Sequence, residues 1–245
     1  MPRGVIGGSF GIVGSTMLSP YESVVMADTP LGFWMMNETS GTNMYDSSGN
    51  GLHGNYTSAL LAQPGPPGIA SSANYNGVNA HAATATLPIA ALGSGAELTI
   101  EFALFANWSG TSVLAEMDNY DSTSGKATIA HDSSLIHVGE RYGSYRSRNY
   151  PRPAAASWHF YSIVWSMANG GASMLSARID GVEQPGTTLV DSISTGTFSD
   201  SILWLMAREG SQYYQSGRMC GLAVYPARLN NSRRDEHYRV ALGVT

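Results

Sequence analysis

Apolar residues come in short runs along this chain, each cut by Gly, Pro, Asn, Asp or Ser. "LGFWMM" (31–36), "ELTIEFALFA" (97–106), "TSVLAEM" (111–117), "KATIAHD" (126–132), "LIHVGE" (135–140), "WHFYSIVWSM" (158–167), "ASMLSARIDG" (172–181), "SILWLMA" (201–207) and "GRMCGLAVYPA" (217–227) have the length and composition of strands. Within "HFYSIVW", alternation puts Phe160, Ser162 and Val164 on one face and His159, Tyr161, Ile163 and Trp165 on the other. Asp180-Gly181 is a short-hairpin pair, suited to a turn that needs positive φ. Only the last segment reads as a helix. "SRRDEHYRVAL" runs on without Gly or Pro, with Leu229 placed to staple and Asn230 or Asn231 placed to cap. His237, Tyr238 and Leu242 then lie within reach of one face. Many closely spaced β runs and one terminal helix predict an all-β, two-sheet sandwich or barrel.

Composition narrows this further. A chain of 245 residues suits one all-β domain, and no internal repeat or linker divides it. The formal charge is −5, so the basic excess of a protein that neutralises nucleic-acid phosphates is missing. No apolar run approaches the ~20 residues that span a bilayer, and neither nucleic acid nor membrane is an expected partner. One cysteine, Cys220, precludes an intramolecular disulfide and, inside "RMCGLAV", reads as a small core residue rather than a nucleophile.

Residues 1–20, "MPRGVIGGSFGIVGSTMLSP", are a glycine-rich arm ended by Pro20, leaving 21–245 as the domain. Glycines at 4, 7, 8, 11 and 14 break the apolar stretch too often for a signal peptide. Such an arm offers little to offset its ordering entropy, so it should be clamped by the body, a sister subunit or a foreign partner. Its anchoring residues would be Met1, Pro2, Arg3, Val5, Ile6, Phe10, Ile12 and Val13.

Several stretches, in order, resemble the laminin-G-like, concanavalin A-like jelly roll. They are "YESVVMADTPLGFWMMNETSGTNMYDSSGNGLHGNY", "ANYNGVNAHAATATLP", "LTIEFALFANW", "WHFYSIVWS", "ARIDGVEQ" and the closing "GRMCGLAVYPARLNNSRRDEHY". The resemblance spans roughly residues 21–242 and implies an antiparallel jelly-roll sandwich with a short C-terminal helix. The phrase "SPYESVVMADTPLGFWMMNE" is most similar to versions carried by tailed-bacteriophage structural proteins. That implies a virion protein made in the host cytoplasm without a signal peptide, partnered by other virion proteins and by its own copies.

Four stretches hold candidate chemistry. In "NMYDSSGNGLHGNY" (43–56), Asp46 can accept N–H bonds from Ser48 and Gly49 as an Asx-turn, with Gly49, Gly51 and Gly54 supplying special conformations. Some relatives hold Ca²⁺ near such loops, but Asp46 is the one local carboxylate, so a turn is the expectation and no cofactor is expected. "EMDNYD" places Glu116, Asp118 and Asp121 where related folds carry glycosidase carboxylates. Alternation leaves Tyr120 in the acid's place, so a hairpin turn is the expectation there and catalysis is not. The six histidines are scattered without metal spacing, and neither G-x-S-x-G nor a P-loop occurs.

"ERYGSYRSRNYPRPAAASW" (140–158) alternates Arg141, Arg146, Arg148 and Arg152 with Tyr142, Tyr145 and Tyr150. Pro151 and Pro153 predict a loop or edge. It is a solvated loop, a protein interface or a glycan-binding surface, since Tyr and Arg carry large area and several donors. Tyr213 and Tyr214 in "REGSQYYQSGR" are a second candidate of this kind, or the polar tip of a hairpin. These features together predict a non-enzymatic virion accessory protein on capsid or tail. The alternatives are a lectin-like module that engages host-surface glycans and, demoted by the missing carboxylate, a glycoside hydrolase.

Overall fold

The computed structural model describes residues 18–118, 125–142, 144–167, 175–190 and 196–245, without the side chains of 142, 144, 145 and 188–190. The eight anchoring residues of the expected arm, Met1 to Val13, lie outside the described residues, as does Asp121. In chain order the elements are α1 (Pro20–Ala27), β1 (Gly32–Trp34), β2 (Asn43–Met44), β3 (Gly54–Thr57), β4 (Leu60–Pro64), β5 (Ser71–Asn76) and β6 (His81–Ala83). Then come β7 (Glu97–Asn107), β8 (Ser112–Met117), β9 (Lys126–His131), β10 (Leu135–Tyr142), β11 (Ser144–Pro151), β12 (Trp158–Ser166) and β13 (Ser176–Ile179). The chain closes with β14 (Val182–Glu183), β15 (Thr187–Val190), β16 (Leu203–Leu205), β17 (Ser216–Tyr225) and α2 (Asn231–Leu242). No described helix is long and apolar enough to cross a membrane.

Two antiparallel sheets result. The first runs β14-β13-β12-β7-β17-β5-β4, with β1 also paired to β17; the second runs β15-β11-β10-β9-β8-β16-β6-β3-β2. The Asp180-Gly181 turn joins β13 to β14 with φ of 52° and 73°, the double positive φ that this pair supplies. Between the sheets lie Ile100, Phe102, Tyr161, Ile163, Trp165, Ile136 and Val138. Trp165 Nε1–H crosses from β12 to donate to Gly139 O on β10 at 3.1 Å.

Both faces of β12 are buried. Tyr161, Ile163 and Trp165 point between the sheets, while Phe160, Ser162 and Val164 lie under the helices. The helix α1 is not foreseen by the strand pattern and takes over the start of the expected domain. Its signal is "SPYE": Ser19 Oγ accepts from Glu22 N at 3.2 Å, and the Glu22 carboxylate accepts from Ser19 N at 2.8 Å, with Pro20 opening the helix. Asn230 is the α2 cap, accepting from Arg233 N at 3.1 Å. The fully buried face of α2 is Arg234, His237 and Ala241; of the expected residues His237 is buried, while Tyr238 and Leu242 pack half-buried against the core.

A polar chain fastens both helices to the first sheet. Glu101 on β7 accepts from Ser162 Oγ at 2.6 Å and pairs with His237 Nδ1 at 2.6 Å. His237 Nε2 reaches Asp28 beyond α1 at 2.9 Å, and Arg233 holds the same Asp28 carboxylate at 2.7 Å. Arg234 Nε donates to Ser162 Oγ at 2.8 Å.

Candidate functional site

The 43–56 loop is a latch. Asp46 Oδ1 accepts from Phe33 N at 3.0 Å and Ser48 N at 2.9 Å, and Oδ2 accepts from Leu52 N at 2.9 Å. Burial opposes the charge, but these N–H donors outweigh it and hold the carboxyl below its usual range. The predicted donor Gly49 is replaced by Phe33 and Leu52, which tie the loop to β1. A carboxylate ringed by N–H dipoles is poorly placed to hold a cation, which needs oxygens around it. Gly49 and Gly51 have positive φ, as predicted, but Gly54 does not; a Cβ there would sit 2.3 Å from Ala83 O, so close packing requires its glycine.

Up to Pro151 the described part of the 140–158 stretch is paired strand rather than loop, and only 152–157 form the expected loop. β10 and β11 pair from Leu135↔Pro151 to Tyr142↔Ser144, and β15 adds outside β11. Pro151 ends its strand and Pro153 follows it, so neither interrupts the ladder. Alternation along β11 then sends Arg146, Arg148 and Tyr150 toward the first sheet. Arg146 is 3% exposed, ion-paired with Glu140 and donating to Ser166 O, and Tyr150 is fully buried, donating to Leu175 O at 2.7 Å. Arg148 donates to Gly186 O at 3.0 Å. Arg152 lies 5.1 Å over the Trp108 ring and donates to Asp132 O at 2.6 Å; Arg141 is half-buried. Arg146 and Tyr150 are therefore interior residues, not displayed contacts. The side chains of Tyr142 and Tyr145 lie outside the described residues.

Glu116, on β8 near the middle of the second sheet, is 1% exposed. Arg208 grips it with Nε to Oε1 at 2.8 Å and Nη2 to Oε2 at 2.9 Å, and Thr128 Oγ1 donates at 3.0 Å. Asp118 faces Lys126 at 3.5 Å. A carboxylate clamped on both oxygens by a guanidinium acts as an anchor.

What Glu116 anchors is the connection from β16 to β17. Arg208 N–H bonds to Gln212 O at 2.8 Å, and the Tyr213 carbonyl accepts from Val113 N at 3.0 Å, laying the turn along β8. Gly210, with φ of 63°, rests on His81 and Trp204; a Cβ there would meet them at 2.7 and 2.8 Å, so no larger residue fits. Tyr214 O–H closes on Gly210 O at 2.6 Å, its ring 6.2 Å from His81, whose ring is 5.8 Å from Trp204. Tyr213 stays out, 44% exposed, with the Arg208 guanidinium 5.0 Å from its ring centre. Beside it lies a recess of about 230 Å³ lined by Thr111, Ser112, Val113, Ala130, Arg208 and Tyr213.

Of the predicted site residues, then, Tyr213 and Tyr214 come together with aromatic and charged groups at one surface. Arg208, Trp204 and His81, which complete the ledge, are not singled out by the sequence pattern. A second polar chain has the atom order of a nucleophile, base and orienter: Ser157 Oγ lies 2.8 Å from His159 Nε2, and His159 Nδ1 lies 2.5 Å from Asp180 Oδ2. The adjacent amides are already committed, Ala156 N to Ala106 O and Phe160 N to Asp180 Oδ1. Through the Asp180 carboxylate this chain pins the 180–181 turn to β12. Cys220 is buried, which pushes its thiol up. Among the described residues no three His, Cys, Asp or Glu side chains converge as a metal would need.

No protein-family model matches this chain, and no curated protein sequence does. Solved structures do. The botulinum neurotoxin serotype G binding domain is similar with a TM-score of 0.66 at 10% identity, covering 86% of this chain and 51% of its own. The receptor binding domain of botulinum neurotoxin D gives 0.65 at 11% identity, over 87% of this chain and 53% of that one. Trypanosoma rangeli sialidase in complex with the inhibitor DANA gives 0.60 at 14%, over 84% of this chain and 32% of the sialidase. This chain therefore spans about half the length of the toxin domains and a third of the sialidase. What it shares with them is the antiparallel jelly-roll β-sandwich fold.

Proposed function

We propose that this chain is a lectin-like carbohydrate-binding module that does not turn its ligand over. The observation that carries the reading is the ledge, an exposed Tyr213 ring beside Arg208 and a small recess with hydroxyl and apolar walls. Sugar rings present C–H faces that stack on aromatic rings, and hydroxyls that take up hydrogen bonds at the rim. A rigid tyrosine supplies contact area at low entropic cost. The clamped Glu116 supports binding over hydrolysis, because a glycosidase needs one carboxyl to act as a proton donor or nucleophile on the sugar. Binding domains among the structural neighbours support the reading by analogy of fold alone.

A printed glycan array probed with the full chain tests this. The expected result is binding to a subset of glycans, weakened at least about tenfold by Tyr213→Ala with thermal stability unchanged. An array without binding, or binding indifferent to the Tyr213 change, contradicts it. Display of this module on a phage capsid or tail, among virion proteins and copies of itself, rests on the likeness of "SPYESVVMADTPLGFWMMNE". Absence of the chain from purified particles would remove that part of the proposal.

A further inference from the structure

We infer that the ledge selects an uncharged terminal sugar and turns away acidic ones, an inference that rests on the glycan-binding reading. Arg208 is the one charged side chain among the described residues lining the recess. An arginine at a sugar site ordinarily invites a carboxylate, because its planar fork matches two oxygens. Here that fork is occupied. Nε and Nη2 are both turned inward onto Glu116, which is 1% exposed and also receives Thr128. An acidic sugar that drew Arg208 outward would leave a buried carboxylate without its cation, the costly way to break an interior ion pair. An acidic sugar that left the pair intact would meet no net positive charge and would still lose hydration. Lys126, on the same sheet but outside the recess lining, faces Asp118 at 3.5 Å and donates to Asp200 O at 2.9 Å.

Size adds a second restriction. At about 230 Å³ the recess is smaller than the ~300–1,000 Å³ that encloses a drug-sized ligand. It therefore takes a single ring, with the rest of the glycan in solvent. The one large exposed side chain at its edge among the described residues is Tyr213, so the ring's apolar face is held there while its hydroxyls face the exposed Thr111. Binding of this kind depends little on salt, since no net charge pair forms.

The test uses matched glycan pairs that differ only in a terminal neutral hexose or the same chain capped by a sialic or uronic acid. The full chain is expected to favour the neutral member at least about tenfold, with affinity nearly constant between low and high salt. Glu116→Gln keeps the shape and an acceptor for Arg208 but removes the opposing charge, so it should raise binding of the acid-capped member at least about tenfold. A melting curve checks that this variant is folded; where it is not, the wild-type ratio and its salt dependence decide. Preference of the wild-type chain for acid-capped glycans, lost in high salt, overturns this inference and leaves the glycan reading standing. Failure to bind either member overturns both.

Discussion

Changing His237 to Leu is expected to lower the unfolding free energy by about 3–5 kcal/mol, the usual result of stripping one partner from a buried ion pair. His237 and Glu101 are both fully buried, and the imidazole bridges Glu101 on β7 to Asp28 beyond α1. Leucine would leave the buried Glu101 carboxylate with the Ser162 hydroxyl and would cut the His237–Asp28 bridge, so that Arg233 alone of the two would hold Asp28 to α2. The chain also sets a pH dependence. Burial works against a charged imidazole, but the Glu101 hydrogen bond and the charges of Glu101 and Asp28 outweigh it, so His237 holds its proton above the usual histidine range. Its stabilisation is full below about pH 6.5, the unfolded value, and is lost as pH rises through the higher folded value. Urea melts across that window should show the wild-type midpoint falling on the alkaline side, with the Leu variant flat. A double cycle with Glu101→Gln isolates the pair. Additive single effects would show that the two residues are not coupled.

Trp165→Ala should cost about 3–5 kcal/mol, the range for a large aromatic removed from a packed core. The ring is 1% exposed, stands between the sheets, and its Nε1–H is the donor to Gly139 O across the sandwich. Truncation therefore opens a cavity and removes a hydrogen bond between the sheets together. Trp165→Phe should restore the packing and leave the lost hydrogen bond, with a smaller deficit. Thermal or denaturant unfolding of the two variants measures the split, and equal losses would contradict the account.

The sandwich was legible because strand runs and turn chemistry are local. "ARIDGVEQ" names its own turn, and Asn230 is marked as a cap by the uninterrupted helical run after it. α1 was missed because eight residues carry only a faint apolar period, although "SPYE" is a full capping box. The prolines at 151 and 153 read as breakers of a strand that they merely end. Arg234 looks like a surface residue of α2 until Ser162 is placed beneath it. The ledge was half legible. Tyr213 and Tyr214 stand out as adjacent aromatics, but Arg208, Glu116, His81 and Trp204 meet only through strand order, because β16 lies between β8 and β6. Such juxtapositions have no signature in residue spacing.

Recognition is proposed at the turn after β16, on the outer side of the second sheet. Titrating the best-bound glycan into isotope-labelled protein and following amide shifts tests it most directly. The largest shifts are expected on Thr111, Val113, Ala130, Arg208 and Tyr213. Shifts gathered instead on the β10–β11 hairpin, or around the two helices on the first sheet, would contradict it.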